Sequence, residues 1–409
     1  MRISMVSEHA SPLAVPGEED CGGQNVHVAE LSSALVRQGH EVRVYTRRDS
    51  PDQPCRVTTD RGVEVVHLPA GPPEPLPRDD LLPHMGEFAD HLLGELTLTR
   101  PDVVHAHFWT SGLASLLACR GPGIPVAQTF HALGHVKRRH QGSRDTSPPQ
   151  RLRLERMIAR DSALVVASCS DEVHELGVLG VRRTKVAIVP CGVDTSGFHP
   201  DGPVADRNEL HRVVTVGRLI PRKGFDLLIA ALRTVPNTEL LIAGGPDEDQ
   251  LEHDEEANRL RSCALRGGVA DRVRLLGRVP REDMPALLRS ADIVACTPWY
   301  EPFGIVPLEA MACGVPVVAS AVGGLLDTVV DGVTGQLVPP KNPRALATAL
   351  RGLLNQPARR HALGLAGFDR AFSRYSWDRV AYDTVLAYQR LVPPPSPASL
   401  ITPAVEGAT

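Results

Sequence analysis

The feature that most constrains this chain is a rhythm in which short β-branched runs return repeatedly with helical patterns between them. RISMVS, EVRVYT, DVVHAHF, IPVAQTF, ALVVAS and KVAIVP occupy the first half, and RVVTVGR, TELLIAGGP, RVRLLG, DIVACTP and PVVAS the second. FDLLIAALRTV and REDMPALLRSAD are among the helical segments that fill the gaps. Strand–helix alternation of this kind predicts the α/β class, with parallel sheets wrapped by helices. One stretch breaks the rhythm: TTDRGVEVVHLPA reads as a hairpin around Asp60, Arg61 and Gly62, giving the first sheet an irregular edge.

At 409 residues the chain exceeds what one hydrophobic core usually supports, so two cores are expected. CGVDTSGFHPDGPVADRNEL is rich in glycine, proline and aspartate, has no period and reads as an interdomain linker. A boundary near Pro200 gives two doubly wound domains, 1–200 and 201–375. The pattern WDRVAYDTVLAYQRLV predicts a helix within 376–392, and the Pro-rich 393–409 has the composition of a disordered tail.

The 44 basic and 48 acidic side chains leave a formal charge of -4, which favours neither nucleic acid nor an anionic membrane surface. The N-terminal apolar stretch is far shorter than a signal h-region or the ~20 residues of a membrane span, so a cytoplasmic enzyme with no integral membrane segment is implied. Eight cysteines are scattered singly without metal-type spacing.

Doubly wound sheets bind ligands at the carboxyl ends of their strands, so the chemistry belongs in post-strand loops, and two such domains facing each other share one cleft. After the first strand a long loop ends in Cys21-Gly22-Gly23-Gln24-Asn25 ahead of a helical pattern. Glycines at a helix start let the backbone approach a phosphate, although a plain turn has the same composition. VVTVGRLIPRKG places Arg218 and Lys223 after the first strand of the second half, where two cations can neutralise a diphosphate leaving group or simply form a solvated basic loop. In TPWYEPFGIVPLEAMACGVPVVAS, Glu301 lies in a Pro-flanked loop, Gly304 starts a helix and Glu309 lies within it. Backbone N–H groups of Phe303, Gly304 and Ile305 are then free for a sugar or phosphate. Eight helical residues rise ~12 Å, against roughly 5–9.5 Å between glycosidase carboxylates. Two separate hydroxyl contacts fit better, and Glu309 among apolar neighbours requires a partner.

Most histidines precede the linker. His105 and His107 alternate on one strand face, and His131 and His135 are spaced for one helical turn. No carboxylate or cysteine completes a local ligand set, so no metal is assigned. His131 follows the strand IPVAQTF and is placed facing the cleft, where a neutral imidazole can bond a sugar hydroxyl. Lys137, Arg138, Arg139 and His140, with Arg151 and Arg153, form either a solvated helix face or an anion-binding patch.

Taken together, GGQNVHV, HAHFW, TFHALG, VGRLIPRKG, AGGP, LGRV, EPFGIVPLEAMACGVPVVAS and DGVTGQLV resemble the retaining glycosyltransferase family 4, of the GT-B fold. The opening HASPLAVPGEEDCGGQNVHV and the motif Ala70 to Pro72 are most similar to its D-inositol-3-phosphate glycosyltransferase and sucrose-phosphate synthase branches. The resemblance implies two Rossmann-like domains around a central cleft, with the helix at Trp377 crossing back onto the first. It also implies a nucleotide-diphosphate sugar (UDP- or GDP-sugar) as donor substrate, no required cofactor, and front-face transfer with retention. Arg218, Lys223 and Arg278 would meet the donor diphosphate and Glu309 the ribose. Glu301 with the Phe303 to Ile305 backbone would hold the donor sugar, with Gly22 and Gly23 beside the diphosphate and His131 beside the transferred sugar. Asn25, Arg78, His107, Phe108, Lys137 and Arg151 fall on the acceptor side. The inositol-phosphate enzymes hold the acceptor phosphate with a lysine, a tyrosine, a threonine and an arginine, whereas this chain has Arg78, Phe108, Ala132 and Arg151. Two hydroxyl donors are missing, so a small polar or anionic acceptor is implied without naming it. A homodimer is the assembly allowed for. The competing readings are a nucleotide-sugar epimerase of the same architecture and a non-catalytic sugar-nucleotide binding protein. A nicotinamide dehydrogenase is disfavoured because the first βα turn lacks the glycine fingerprint.

Overall fold

The computed structural model describes residues 1–14, 22–142 and 145–392, so Cys21 and the tail 393–409 lie outside the described residues. The first sheet contains β1 (Arg2–Val6), β2 (Glu41–Arg47), β3 (Arg56–Thr58), β4 (Glu64–Leu68), β5 (Val103–His107), β6 (Val126–Thr129), β7 (Leu164–Ala167) and β8 (Val186–Ile188). Their order is β3-β4-β2-β1-β5-β6-β7-β8, parallel except for β3, which pairs antiparallel with β4 at the edge. The turn between β3 and β4 closes on Thr59 N–H to Val63 O at 2.9 Å, with Gly62 at φ +80°. That is the hairpin expected at this point.

The second sheet contains β9 (His211–Val216), β10 (Thr238–Ala243), β11 (Val273–Gly277), β12 (Ile293–Cys296), β13 (Val317–Ser320) and β14 (Gly335–Val338). It is wholly parallel in the order β11-β10-β9-β12-β13-β14. The central strands β5, β6, β10, β12 and β13 are buried at every residue, as expected of parallel strands covered by helices on both faces. In each sheet the strand order reverses beside the first strand, between β1 and β5 and between β9 and β12. Loops leaving those strands therefore open onto the crevices where α/β sheets bind ligands.

Packing moves the changeover between domains a few residues ahead of Pro200, because Val193 and Phe198 already sit in the second core. The return crossing lies beside it: Val193 N–H donates to Tyr375 O at 2.7 Å, and Val193 bridges Ser376. The crossover helix Trp377–Tyr388 then packs along the first-domain helix Gly23–Arg37, burying Trp377, Val380, Ala381, Ala387 and Tyr388 in the first core. Gly192 makes room for it, since a Cβ there would stand 2.5 Å from the Trp377 ring. Among the described residues no helix is long and apolar enough to cross a membrane.

Candidate active site

The loop after β9 turns through Pro221–Lys223 into the helix Phe225–Leu232. Gly224 holds φ +69° at the junction, and a Cβ there would lie 2.2 Å from Thr297 O. Only glycine permits so close an approach to the end of β12. The Lys223 Nζ consequently reaches Glu301 Oε2 at 2.7 Å, while Arg222 Nη1 donates to Tyr300 O at 2.7 Å. Burial pushes the Glu301 carboxyl up, but Lys223, Arg222 and the Phe303 N–H outweigh it and hold the group below its ordinary range.

Glu301 is tied further through its backbone, its carbonyl accepting from Gly324 N–H at 2.8 Å. Gly304 caps the helix Ile305–Ala312 in the left-handed region at φ +75°. That helix is almost entirely apolar and buried, and Glu309 within it is 3% exposed. Its partner is Arg281, which donates from Nη1 and lies over the Phe198 ring. Burial raises the Glu309 carboxyl in spite of that cation. Among the described residues the Arg218 side chain makes no hydrogen bond or ion pair. Desolvation and then the charges of Arg222 and Arg78 depress its pKa, so a first-domain and a second-domain guanidinium sense each other across the gap. Arg278 lies apart from this group, doubly bonded to Asp247 at 2.8 and 3.0 Å. That ion pair takes up its Nε and Nη2.

On the facing wall, Phe108 after β5 and His131 after β6 have φ of +80° and +59°, values that cost non-glycine residues energy and cluster at functional sites. His131 therefore sits in a strand-end turn, not on the helix Gly134–Gln141, and His135 is turned away to Glu175 at 2.6 Å. The His131 Nε2 lies 2.9 Å from His107 Nδ1, while His131 Nδ1 and His107 Nε2 are buried without partners. Burial, with neighbouring imidazoles adding to it, drives both pKa values well below the ordinary range, so the pair is neutral. The Phe303 ring of the second domain stands 5.5 Å from the His131 ring, and a Cβ on Gly23 would touch Ile305 Cδ1 at 3.3 Å. Gly22, Gly23, His107, His131, Lys223, Glu301, Phe303, Gly304 and Ile305 are thus brought to one cleft.

The acceptor-side residues divide. Arg78 is exposed, its side chain makes no hydrogen bond among the described residues, and it lies over the Phe108 ring at 5.7 Å. Arg151 covers the same ring at 5.1 Å but is 3% exposed, and its donors go to Glu155 at 2.7 Å, Ser147 at 3.2 Å and Ala132 O at 2.6 Å. The expectation that Arg151 offers a cation to the acceptor is corrected: burial beside Glu155 makes it a brace behind Phe108. Lys137 is likewise spent on Ser147 at 2.8 Å and Asp145 at 3.1 Å, Arg139 on Glu175, and His140 stacks on Tyr300. Asn25 accepts from Gly22 N–H at 3.1 Å and donates to Ser11 O at 3.0 Å, capping its own helix.

Three features escaped the sequence reading. Arg281 had a signal in the buried glutamate that required a partner. Glu8 and His9, the polar pair that ends the first apolar run, pair at 2.8 Å with Glu8 buried and His9 partly so, and Thr110 and Ser111 also donate to Glu8. Burial raises the Glu8 carboxyl, and His9, Ser111 and Thr110 more than offset it. His27, in the helix Gly23–Arg37, bonds Cys191 at 3.1 Å and joins the imidazoles beneath the site.

Comparison with known proteins agrees with this fold. Residues 21–196 match the family described as Glycosyltransferase Family 4, and residues 204–370 that described as Glycosyl transferases group 1. The D-inositol 3-phosphate glycosyltransferase of Jonesia denitrificans is 36% identical over 413 residues, 95% of this chain and 96% of that protein. Its counterpart in Kribbella flavida is 37% identical over 407 residues, 95% of each chain. The solved sucrose-phosphate synthase from Thermosynechococcus elongatus superposes with a TM-score of 0.85 at 31% identity, covering 95% of this chain and 98% of that one. The fold recurs in Anabaena HepE, solved in complex with UDP, with a TM-score of 0.73 at 19% identity over 95% and 100% of the two chains. With near-complete coverage by such relatives, the chain belongs to glycosyltransferase family 4 and is a glycosyltransferase of the GT-B fold.

Proposed function

We propose that this enzyme transfers a sugar, with retention, from a UDP- or GDP-sugar to a hydroxyl of a small anionic acceptor. The observation that carries the reading is the convergence of Arg218, Lys223 and Glu301 at the second-domain switch point, opposite His131. Arg218 and Lys223 supply fixed positive charge where a diphosphate leaves, which stabilises the transition state only when aimed at the departing oxygens. Glu301 and the Phe303 to Ile305 backbone hold the donor sugar's hydroxyls, Glu309 the ribose, and Gly22 and Gly23 permit the close approach of the diphosphate. In front-face transfer the departing phosphate oxygen takes the acceptor proton, so the protein's contribution is positioning and charge stabilisation.

Among the described residues the Arg78 side chain makes no hydrogen bond or ion pair, and its charge is felt by Arg218. That supports an anionic acceptor. D-inositol 3-phosphate belongs on the acceptor panel because of the relatives' names, but Phe108 and Ala132 offer no hydroxyl to a phosphate.

The test screens UDP-, GDP- and ADP-sugars by hydrolysis and thermal stabilisation, then identifies products by mass with phosphorylated and neutral polyols as acceptors. A ligand at 100 times its Kd adds about 2.7 kcal/mol, a readable stabilisation. Isomerised donor formed without acceptor would replace this reading with an epimerase. Donor binding without turnover on any acceptor would leave a binding protein.

A further inference from the structure

Beneath the sugar-facing wall a column of imidazoles runs from His131 through His107 and His105 toward the last helix. The His105 and His107 rings are centred 4.2 Å apart with planes 36° apart, and His107 and His131 are 5.1 Å apart at 24°. One end of the column meets the cleft at His131. The other ends on the crossover helix, where the Tyr388 hydroxyl lies 2.6 Å from His105 Nδ1.

Counting donors assigns the protons. The Thr129 hydroxyl donates to Val166 O at 3.1 Å, so it accepts from His105 Nε2 at 2.9 Å. His105 therefore carries its proton on Nε2, and its bare Nδ1 accepts the Tyr388 O–H. Two partners fix that ring in both orientation and tautomer. His107 packs at a 36° tilt against that held ring and stacks on His131, to which its Nδ1 is bonded. The two nitrogens left over, His107 Nε2 and His131 Nδ1, are buried and unpartnered. In a neutral pair one of them bears a proton and the other a lone pair. His107 is wholly buried, and His131 is the member of the pair that meets Phe303 at the cleft, where a ring can serve a sugar only if its plane is held to within ~10–20°.

We propose that Tyr388 is a positioning residue for glycosyl transfer: from the crossover helix it fixes, through His105 and His107, the plane of the His131 ring that meets the sugar. The inference rests on the reading of His131 as sugar-facing. It makes the docking of the last helix on the first domain a condition for an ordered site, although Tyr388 touches no substrate.

The test is Tyr388→Phe in the full chain, which keeps the ring and removes only the hydroxyl. Histidine-labelled protein is compared by two-bond 1H–15N correlation without ligand. The expected result is a single Nε2–H tautomer for His105 in the parent, with the His105, His107 and His131 signals shifted or doubled in the variant. With the donor and acceptor found by the screen above, kcat is expected to fall about tenfold while donor KM changes less than twofold. The thermal midpoint is expected to stay near the parent's. Thr129→Val, which removes the other His105 partner, should move the same signals and kcat in the same direction. Unperturbed His107 and His131 signals, or an unchanged kcat despite perturbed signals, overturns the proposal. So does a loss of kcat that merely tracks a lowered midpoint. His131→Ala separates the two ideas: full turnover in that variant refutes the sugar-facing reading, while the ligand-free spectra still report on the tie between Tyr388 and the column.

Discussion

Lys223, on the loop after β9, holds its ammonium 2.7 Å from the carboxylate of Glu301, on the loop after β12. The pair joins the two strand ends that flank the second sheet's switch point, and both side chains are largely buried. Lys223→Ala removes a diphosphate cation and leaves Glu301 without its main counter-charge. Turnover is expected to fall at least ~100-fold, about 2.7 kcal/mol of transition-state stabilisation. Glu301→Gln, which keeps the shape and loses the charge, should fall by a similar factor. Steady-state rates with the donor from the screen check both, and unchanged turnover in the two variants would remove these residues from the reaction.

Arg78 and Arg151 lie over the same Phe108 ring yet are expected to respond oppositely to truncation. Arg78→Ala exposes nothing buried, so stability should stay within ~0.5 kcal/mol while the KM for an anionic acceptor rises about tenfold. Arg151→Ala strands Glu155, a fully buried carboxyl that burial already pushes up against the pull of Arg151. A loss of about 3–5 kcal/mol is expected in urea unfolding. Equal stability of the two variants would contradict the division of labour.

Gly23 meets Ile305 across the cleft, where a Cβ would stand 3.3 Å from Ile305 Cδ1, so added bulk at position 23 presses on that side chain. Gly23→Val is expected to lower turnover at least tenfold with the thermal midpoint almost unchanged, because position 23 is itself exposed. Adding Ile305→Ala should restore part of the loss. No recovery in the double variant would mean the contact does not govern closure.

Acid should loosen the fold through the imidazole column. Burial lowers His27 to about 4 and His105 to about 3 from 6.5, and lowers His107 and His131 as well. Their contribution is complete above pH 6.5. Below it the unfolded chain binds protons that the folded column refuses, so stability drops as pH falls, by up to about 1.4 kcal/mol per unit for each group. For His27 the loss levels off near pH 4 and for His105 near pH 3. Glu155, Glu172 and Glu309, raised by burial, act in the opposite sense and offset part of it. Urea midpoints at pH 7, 6 and 5 should decline, and His27→Asn should flatten the slope. Identical slopes in parent and variant would exclude His27 from the effect.

Strand–helix alternation made both sheets legible because parallel strands buried on two faces show as unbroken β-branched runs. β14 escaped notice, since Gly335–Val338 has four residues and opens on glycine and glutamine. The loops carrying Arg218, Lys223 and Glu301 could be read from composition because their chemistry is local to one turn. What the sequence could not reveal was pairing at a distance. Arg281 lies 28 residues from Glu309, and Ala132, whose carbonyl accepts from Arg151, lies 19 residues from it, whereas the Arg151–Glu155 pair, one helical turn apart, was open to a local reading. His131 and His135 suggested a shared helix face by spacing, but a positive φ at His131 sends the two rings to different partners.

The crossover helix has a further consequence for how the molecule is made. The apolar face formed by Val28, Leu31 and Leu35 with β1 and β2 is completed by Val380, Ala381 and Tyr388, which are synthesised about 350 residues later. During translation the N-terminal half emerges first, yet it lacks the side chains that close its own core. Its final consolidation must wait until the ribosome has delivered residue 388, after the second domain is already able to fold. The half that begins the chain is thus the last to be finished.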